Sequence, residues 1–510
     1  MESITSVLST AGIIIAVILM FNFMIFVHEL GHFLAARWRG LYVDKFQIWF
    51  GKAIWKKKIN GVEWGLGWIP AGGFVSLPQM GGMEALEGHA DLPENLKEIT
   101  PLDKIIVAAA GPIASFLLAL FFALIVWGVG KNATELNITT VGYVSPGSPA
   151  AEAGILPGDK ILKIDGRPVT KWLGNMEGVR ELIMLSENEK ITFTMERPGE
   201  SAPIEVKCGY RIPESSWWER TGMRQVGIVY AMPCKVDQVM PHSPAARAGI
   251  VKGDCIVEVN GKKIWNPLTL TDALVQEKLP QMTVQDANGN QSSVTFAGPQ
   301  AEQLKTLQGV EAVLRVRGAD GQVRQVTLTC EYPSNWLQNG KPIPGATPIL
   351  GVTWDVSEMA VESTIYPTPW EQVGQSLKWM GETLNKLFAS GSSVGVEHLS
   401  GPVGIANQFY KMFTLDDGWK LVLWFAVVLN VNLAVLNMLP LPVVDGGHVV
   451  INSIEWLFKV KIPVKVLEIV YFAFTLCMIF FFIYVTSKDV GDLVGCEENV
   501  ELPTPQFLAK

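Results

Sequence analysis

Apolar and polar positions alternate on two scales along this chain. Four long stretches are apolar and free of charged residues: 7–27, 105–130, 421–439 and 469–485. A helix rising about 1.5 Å per residue needs stretches of this length to cross a hydrocarbon layer about 30 Å thick. The pattern predicts four transmembrane helices, over 7–36, 105–130, 419–439 and 466–486. Residues 1–6 hold no Lys or Arg and no small-residue cleavage site follows, so the first reads as a resident helix, not a removable signal. Between the second and third helices the pattern breaks into short segments punctuated by Gly-Asp, Asp-Gly and Asn-Gly turns, the mark of a mainly-β region.

Two shorter patterns flank that region. Val62, Trp64, Leu66 and Trp68 alternate ahead of Pro70 and a Gly pair, which predicts a β-hairpin over 59–78 with Gly65, Leu66 and Gly67 on an edge that an extended substrate can join. Trp370, Val373, Leu377, Met380, Leu384 and Leu387 recur every three or four residues and predict an amphipathic helix, lying on the outer membrane surface within an amphipathic and linker segment 368–414.

Composition supports the membrane reading and removes other classes. Of 510 residues, 49% are hydrophobic and 18% charged, against about 25% charged in soluble chains. The net charge is −8 and no long Lys/Arg run occurs, so nucleic acid is excluded as a partner. Six cysteines form no CxxC pair, which removes zinc-ribbon and thioredoxin-like readings. Cys208, Cys234, Cys255 and Cys330 fall between helices two and three, where a disulfide is permitted but small buried thiols are expected.

Lys and Arg set the orientation, because cytosolic flanks carry the excess. Arg37, Arg39, Lys45, Lys52, Lys56, Lys57, Lys58, Lys97 and Lys104 crowd the segment between helices one and two, and Lys459, Lys461 and Lys465 follow helix three. Both termini and the long segment 131–414 are therefore expected outside, on the periplasmic side of a bacterial inner membrane.

A repeat lies in that outer segment. Residues 148–169 recur at 243–264 with 11 of 22 positions identical, each copy opening Ser-Pro-Ala-Ala-x-Ala-Gly-Ile. The Ser-Pro-Ala-Ala start suits a short helix, the Gly its end, and the Gly-Asp turn leads into a strand. The copies resemble tandem PDZ domains, predicted over 138–212 and 222–333, the second with an insertion near 279–309. Such domains bind peptide ends by adding a strand to a sheet edge. Gly227 and Ile228, at the start of the second copy, resemble the loop that receives a terminal carboxylate.

The candidate chemistry sits at the end of the first apolar stretch. His28, Glu29 and His32 form HExxH, whose i, i+4 spacing puts both imidazoles on one helix face where they can share a zinc, with Glu29 beside them to hold water. Such groups are costly within hydrocarbon unless they pair or bind metal. If the helix ends near Ala36, His28 lies about 12 Å from its cytosolic end. A third ligand is needed, and Asp445 supplies it from a Pro-broken, Gly-rich turn after the third helix. Glu63, Glu84 and Glu87 are the alternatives for an ordinary zincin. His89, His242 and His398 stand alone in polar stretches and read as surface residues.

HExxH in the first helix and NxxPxPxxDG at residues 437–446 resemble the site-2 proteases, and four helices around two PDZ-like copies resemble their bacterial branch. The resemblance extends over residues 7–486. It implies a multi-pass α-helical membrane protein whose membrane core, 1–130 and 415–487, holds one Zn2+ through His28, His32 and Asp445, with Glu29 activating water and Asn432 and Asn437 holding the substrate backbone. It implies cleavage of transmembrane substrates such as anti-sigma factors or signal-peptide remnants. Val444 stands where the family usually has Leu. The rival from another class is a catalytically inactive membrane PDZ scaffold, which predicts loss of one of these residues. Residues 488–510 remain as a tail.

Overall fold

The computed structural model describes residues 2–80, 99–174, 177–278, 281–285, 291–295, 306–357, 361–389, 391–460, 462–494 and 502–508. Four of its helices are long and apolar enough to cross a membrane: α1 (Glu2–Arg39), α2 (Pro101–Val129), α5 (Gly418–Asn437) and α7 (Val464–Val494). Three others complete the set that frames the site: α3 (Pro369–Phe388), α4 (Pro402–Phe413) and α6 (Asp445–Phe458).

Helix α2 is the centre of the bundle, with α1, α5 and α6 packed around it. Small residues make this possible, since close helix approach in a lipid-facing bundle depends on van der Waals fit rather than on expulsion of water. Ala119, Ala123 and Ala426 are fully buried. At Gly31 an added Cβ would come within 2.5 Å of the Ala110 carbonyl oxygen, so α1 and α2 cross there backbone to backbone. Thr100 and Asp103 form a reciprocal capping box at the start of α2, and Arg39 at the end of α1 binds the same Asp103 carboxylate at 2.6 Å. The end of α1 and the start of α2 are thereby fastened together. Helix α7 is peripheral and leaves Phe480, Phe482 and Ile483 exposed.

A four-stranded sheet joins α1 to α2: β1 (Lys45–Phe50), β2 (Trp55–Ile59), β3 (Val62–Leu66) and β4 (Ile69–Ser76), in the order β2-β3-β1-β4. The expected hairpin partner of β3 is therefore wrong. β3 pairs with β2 through Asn60-Gly61, both at positive φ (50° and 86°), the two-residue turn that suits right-twisted strands. On its other side β3 runs parallel to β1, with Gln47 opposite Gly65 and Ile48 opposite Leu66. Gly65 and Leu66 are thus interior, and Gly67 donates its N–H to the Ile48 carbonyl at 2.8 Å. The open edges of the ladder are β2 and β4, and β4 packs on α1.

The repeat folds into two similar modules. Each starts its short helix (Pro149–Glu152, Pro244–Arg247) with a serine cap, Ser148 or Ser243, and has its own apolar core. Both modules close with a strand far along the chain, which the repeat alone does not reveal. Ile228–Tyr230 pairs with Val141–Val144, and Val226 is in the first core, so Gly227 and Ile228 end the first module and do not begin the second. The equivalent strand, Val352–Trp354, pairs with Cys234–Val239 in the second module. Gly227 (φ 84°) and Gly351 (φ 78°) are the matching turn glycines, each pressed against the capping serine of its module. The first module accordingly runs to about Tyr230 and the second to Trp354, past the boundaries expected at 212 and 333. Within the insertion, Val275–Lys278 pairs with Thr306–Gly309 and Gln281–Gln285 with Gln291–Thr295.

A ribbon of Lys131–Glu135 with Val361–Ile365 brings the two ends of the inserted region together above α2. The predicted amphipathic helix is α3. It buries Gln372, Val373 and Ser376 against the bundle, with the Gln372 amide donating to the Ala123 carbonyl at 3.0 Å, while Trp370 and Leu377 of the apolar stripe stay exposed.

Candidate active site

Three chain segments meet at one cleft of ≈ 240 Å³, lined among others by His28, Glu29, His32, Gly73, Phe74, Val75, Asn437, Asp445 and His448. Helix α1 brings His28 and His32 onto one face, one turn apart. It runs to Arg39, past the expected Ala36, so His28 lies about 16 Å from its end at 1.5 Å per residue. Asp445 is the first residue of α6. Gly446 and Gly447 behind it cannot carry a side chain, because a Cβ would strike the Leu439 or Leu441 carbonyl at 2.2 or 2.1 Å. The Pro-containing turn folds back on the helix start, and that contact aims Asp445 at α1.

The donor atoms converge. His28 Nε2 and His32 Nε2 are 3.3 Å apart, and each lies 3.3 Å from one oxygen of Asp445. His32 Nδ1–H donates to the Val107 carbonyl at 2.8 Å, which in the neutral ring leaves a lone pair on Nε2. Ser115 Oγ lies 3.0 Å from His28 Nδ1 and fixes the other ring. Electron-rich atoms facing one another inside a bundle repel unless a cation lies among them. Ligands at about 2.0 Å on a tetrahedral zinc are separated by about 3.3 Å, the spacing found here. The donor set fits one zinc ion, and each histidine has the outer partner that usually orients a metal-binding imidazole.

Of the alternative third ligands, Glu63 is paired with Lys56 at 3.2 Å on the sheet, and Glu84 and Glu87, like His89, lie outside the described residues. Among the described residues, His28, His32 and Asp445 form the group able to hold a metal. His398, expected to be an ordinary surface residue, is largely buried, with Nε2 2.9 Å from the Thr221 carbonyl. The α5 asparagines separate: the Asn437 amide lies 3.4 Å from His28 Nε2, whereas Asn432 is more than a turn away and outside the cleft lining. Gly65, Leu66, Gly67, Gly227 and Ile228 are not part of the cleft either.

A description of the family as Peptidase family M50 matches residues 16–481. The chain belongs to Peptidase family M50. The regulator of sigma-E protease RseP of Escherichia coli (strain K12) is 29% identical to it over 449 residues, 85% of this chain and 88% of that one. Protease RseP of Yersinia pestis is 28% identical over 454 residues, 86% and 90% of the two chains. A relative from Vibrio cholerae serotype O1, 28% identical over 478 residues and covering 90% and 93%, is classed by its name with zinc metalloproteases. A solved PDZ domain protein from Parabacteroides distasonis aligns with 39% of this chain and 57% of its own at 12% identity and a TM-score of 0.14, too low to carry any argument. The M50 member described here is a zinc metalloprotease of the site-2 type.

Several contributors to the site escape sequence reasoning. Ser115, the Val107 carbonyl and Gly111 act through the packing of α2 on α1. His448, on α6 one turn after Asp445, lines the cleft and stacks on Tyr471 of α7. Its signal in the sequence was only its place after the Asp-Gly-Gly turn.

Proposed function

We propose that this protease cuts membrane-anchored proteins within their transmembrane segments, with His28, His32 and Asp445 holding the zinc and Glu29 as the proton acceptor. One observation carries the reading: His28, Glu29 and His32, inside an apolar helix long enough to span a bilayer, are joined by Asp445 from far along the chain around one cleft. When bound, zinc polarises the scissile carbonyl and acidifies water, the chemistry peptide hydrolysis requires. Glu29 takes the proton of the attacking water and delivers it to the departing amine. Val107 and Ser115 hold the imidazoles so that only Nε2 of each faces the cleft.

The substrate enters as an extended strand. A helical segment hides its carbonyls in hydrogen bonds, and β4, whose Gly73 and Phe74 line the cleft, offers an open edge for pairing. The Asn437 amide next to His28 holds the substrate backbone near the cut. Asn432 Oδ1 is buried and without a donor among the described residues, and would reach that backbone only if substrate entry opened α5 beyond the cleft lining. Ile228–Tyr230 has one ladder neighbour and can take a peptide strand beginning beside Gly227.

The excess of Lys and Arg between α1 and α2 supports a cytosolic position for the sheet and a periplasmic position for the modules and termini, in a bacterial inner membrane. The substrates are anchored proteins such as anti-sigma factors or leftover signal peptides. An inactive scaffold is disfavoured, since all four catalytic positions are present and converge. The test is cleavage of a single-span substrate in liposomes, with the cut located by mass spectrometry. A cut in the soluble flank, or undiminished cutting by Glu29→Gln, would refute the proposal.

A further inference from the structure

Residues 502–508, which follow α7, lie along the second module, and their backbone is read there bond by bond. Ser334 N–H and Oγ–H both donate to the Gln506 carbonyl, at 2.7 and 2.9 Å. The Asn335 side chain donates to the Thr504 carbonyl at 2.7 Å and accepts from the Gln506 N–H at 2.9 Å, and the Trp336 indole N–H donates to the Pro503 carbonyl at 2.6 Å. One amide that satisfies two residues spaced by one recognises an extended chain, and Pro503 and Pro505 favour that conformation in advance.

The receiving surface has a backbone framework of its own. Trp336 is buried, its carbonyl accepts the Ile343 N–H at 2.9 Å, and a small ribbon of Leu337–Gln338 with Lys341–Pro342 follows it. Phe507 then reaches the turn of the closing strand, where its ring lies 2.9 Å from the place of a Gly351 Cβ. Phe507 and Leu508 border a hollow of ≈ 500 Å³ with Cys330, Tyr332 and Leu337. The segment does not fill it: Phe507 is half-buried and Leu508 is 72% exposed.

We infer that this face of the second module is a recognition site for extended, proline-containing polypeptide carrying an aromatic-aliphatic pair, and that residues 502–508 occupy it in cis. An outside segment of the same chemistry must displace them. A short tether supplies its ligand at an effective concentration of order millimolar, so weak outside peptides are excluded while a better filler of the hollow is admitted. The site is separate from the zinc cleft, and its test needs no catalysis.

The test uses the whole purified chain and a version ending at Leu502, each titrated with a fluorescent peptide of residues 502–510 and followed by anisotropy. Saturable binding to the shortened chain, at least tenfold tighter than to the intact one, is expected. Asn335→Ala in the shortened chain, or Phe507→Ala in the peptide, should each weaken it at least tenfold. Phe507→Asp in the full-length chain should open the site without truncation, with unchanged zinc content reporting an intact fold. Equal affinity for intact and shortened chains, or no saturable binding to the shortened one, would overturn the inference. Dimers that vanish with the segment would place it on a second copy and overturn the cis arrangement.

Discussion

Gly111 of α2 faces His32 of α1 so closely that a Cβ on the glycine would lie 2.2 Å from the imidazole Nε2. The same ring is held by the Val107 carbonyl one turn earlier on α2. Helix α2 contributes no proposed zinc ligand, yet it sets where the ligands of α1 point. Gly111→Ala is expected to lower zinc content and cleavage together by about tenfold or more, the usual cost of disturbing an outer partner of a ligand. Gly128→Ala, on the same helix with no atom within 4 Å of the new Cβ, should leave both unchanged. Metal analysis of the two purified variants decides, and full zinc in Gly111→Ala would mean the ring shifts freely.

Removing a ligand and removing the proton acceptor should differ. Asp445→Ala is expected to lose zinc and activity, whereas Glu29→Gln keeps zinc and loses activity, because Glu29 borders the cleft without belonging to the converging donor set. Full zinc retention by Asp445→Ala would remove Asp445 from the ligand set.

Much of this was legible in the sequence, for identifiable reasons. The four helices announce themselves by uninterrupted apolar length. His28 and His32 are one helical turn apart, so a local pattern reports their convergence. Asp445 is distant in sequence, but the prolines and glycines around it mark a broken helix. Contacts set by packing were hidden, such as Ser115 against His28. So were the closing strands of the modules, since Gly227 and Gly351 are separated by a different spacing from the repeat itself. The sheet departs from the hairpin expected over 59–78 because Asn60-Gly61, a stronger turn signal than Pro70 and its glycines, pairs β3 with β2.

The corrected sheet changes which proline should matter. In β3 both sides of the strand are paired, so Leu66→Pro is expected to disturb the sheet itself and lower the yield of folded protein. In β4 the strand has one neighbour, and Phe74→Pro should reduce turnover most if the Phe74 N–H faces the free edge, with zinc content retained. Prolines scanned through residues 72–76 locate the outward N–H groups. Unchanged turnover throughout the scan would eliminate strand pairing at β4.

The module thiols provide a pH prediction. Cys208, Cys234 and Cys330 are buried and carry no disulfide, and burial pushes their pKa values up to about 11, 12 and 12. Well below the unfolded thiol pKa, at about pH 7, the folded and unfolded chains both keep these protons, and the groups contribute no pH dependence. As pH rises from about 9 the unfolded chain ionises first, and stability falls by roughly 1.4 kcal/mol per unit for each thiol, toward about pH 11 for Cys208 and about 12 for Cys234 and Cys330. Iodoacetamide labelling with peptide mapping should show these three protected at pH 8 and at pH 10 until denaturant is added. Labelling of the native chain at pH 8 would contradict the burial.

The two modules should act as a size filter above the cleft, and the first of them is fastened to α7. Arg220, in the first module ahead of its closing strand, forms ion pairs with Asp489 and Asp492 at the end of α7. Asp489 is buried and also accepts the Gly401 and Gly404 N–H groups at 3.2 and 2.8 Å, while Lys488 donates to the Trp217 and Glu219 carbonyls. A module fastened in this way obstructs a substrate that still carries a bulky outer domain, and steric exclusion needs no matched contacts. A deletion of 142–330 would remove the first module with its closing strand but leave the second module's closing strand, Val352–Trp354, behind without its partner Cys234–Val239. The ribbon of Lys131–Glu135 with Val361–Ile365 offers a cleaner boundary, because Glu135 faces Val361 and an Asn-Gly turn can join them after excision of 136–360. Asp489→Asn should accompany the excision, since removing Arg220 alone strands a buried charge at a cost of about 3–5 kcal/mol. The excised protease should cut untrimmed and pre-trimmed forms of one anchored substrate alike, while the intact protease cuts only the trimmed form. Equal cutting of both forms by the intact protease would dispose of the filter, and loss of all cutting on excision would make the modules a docking site instead.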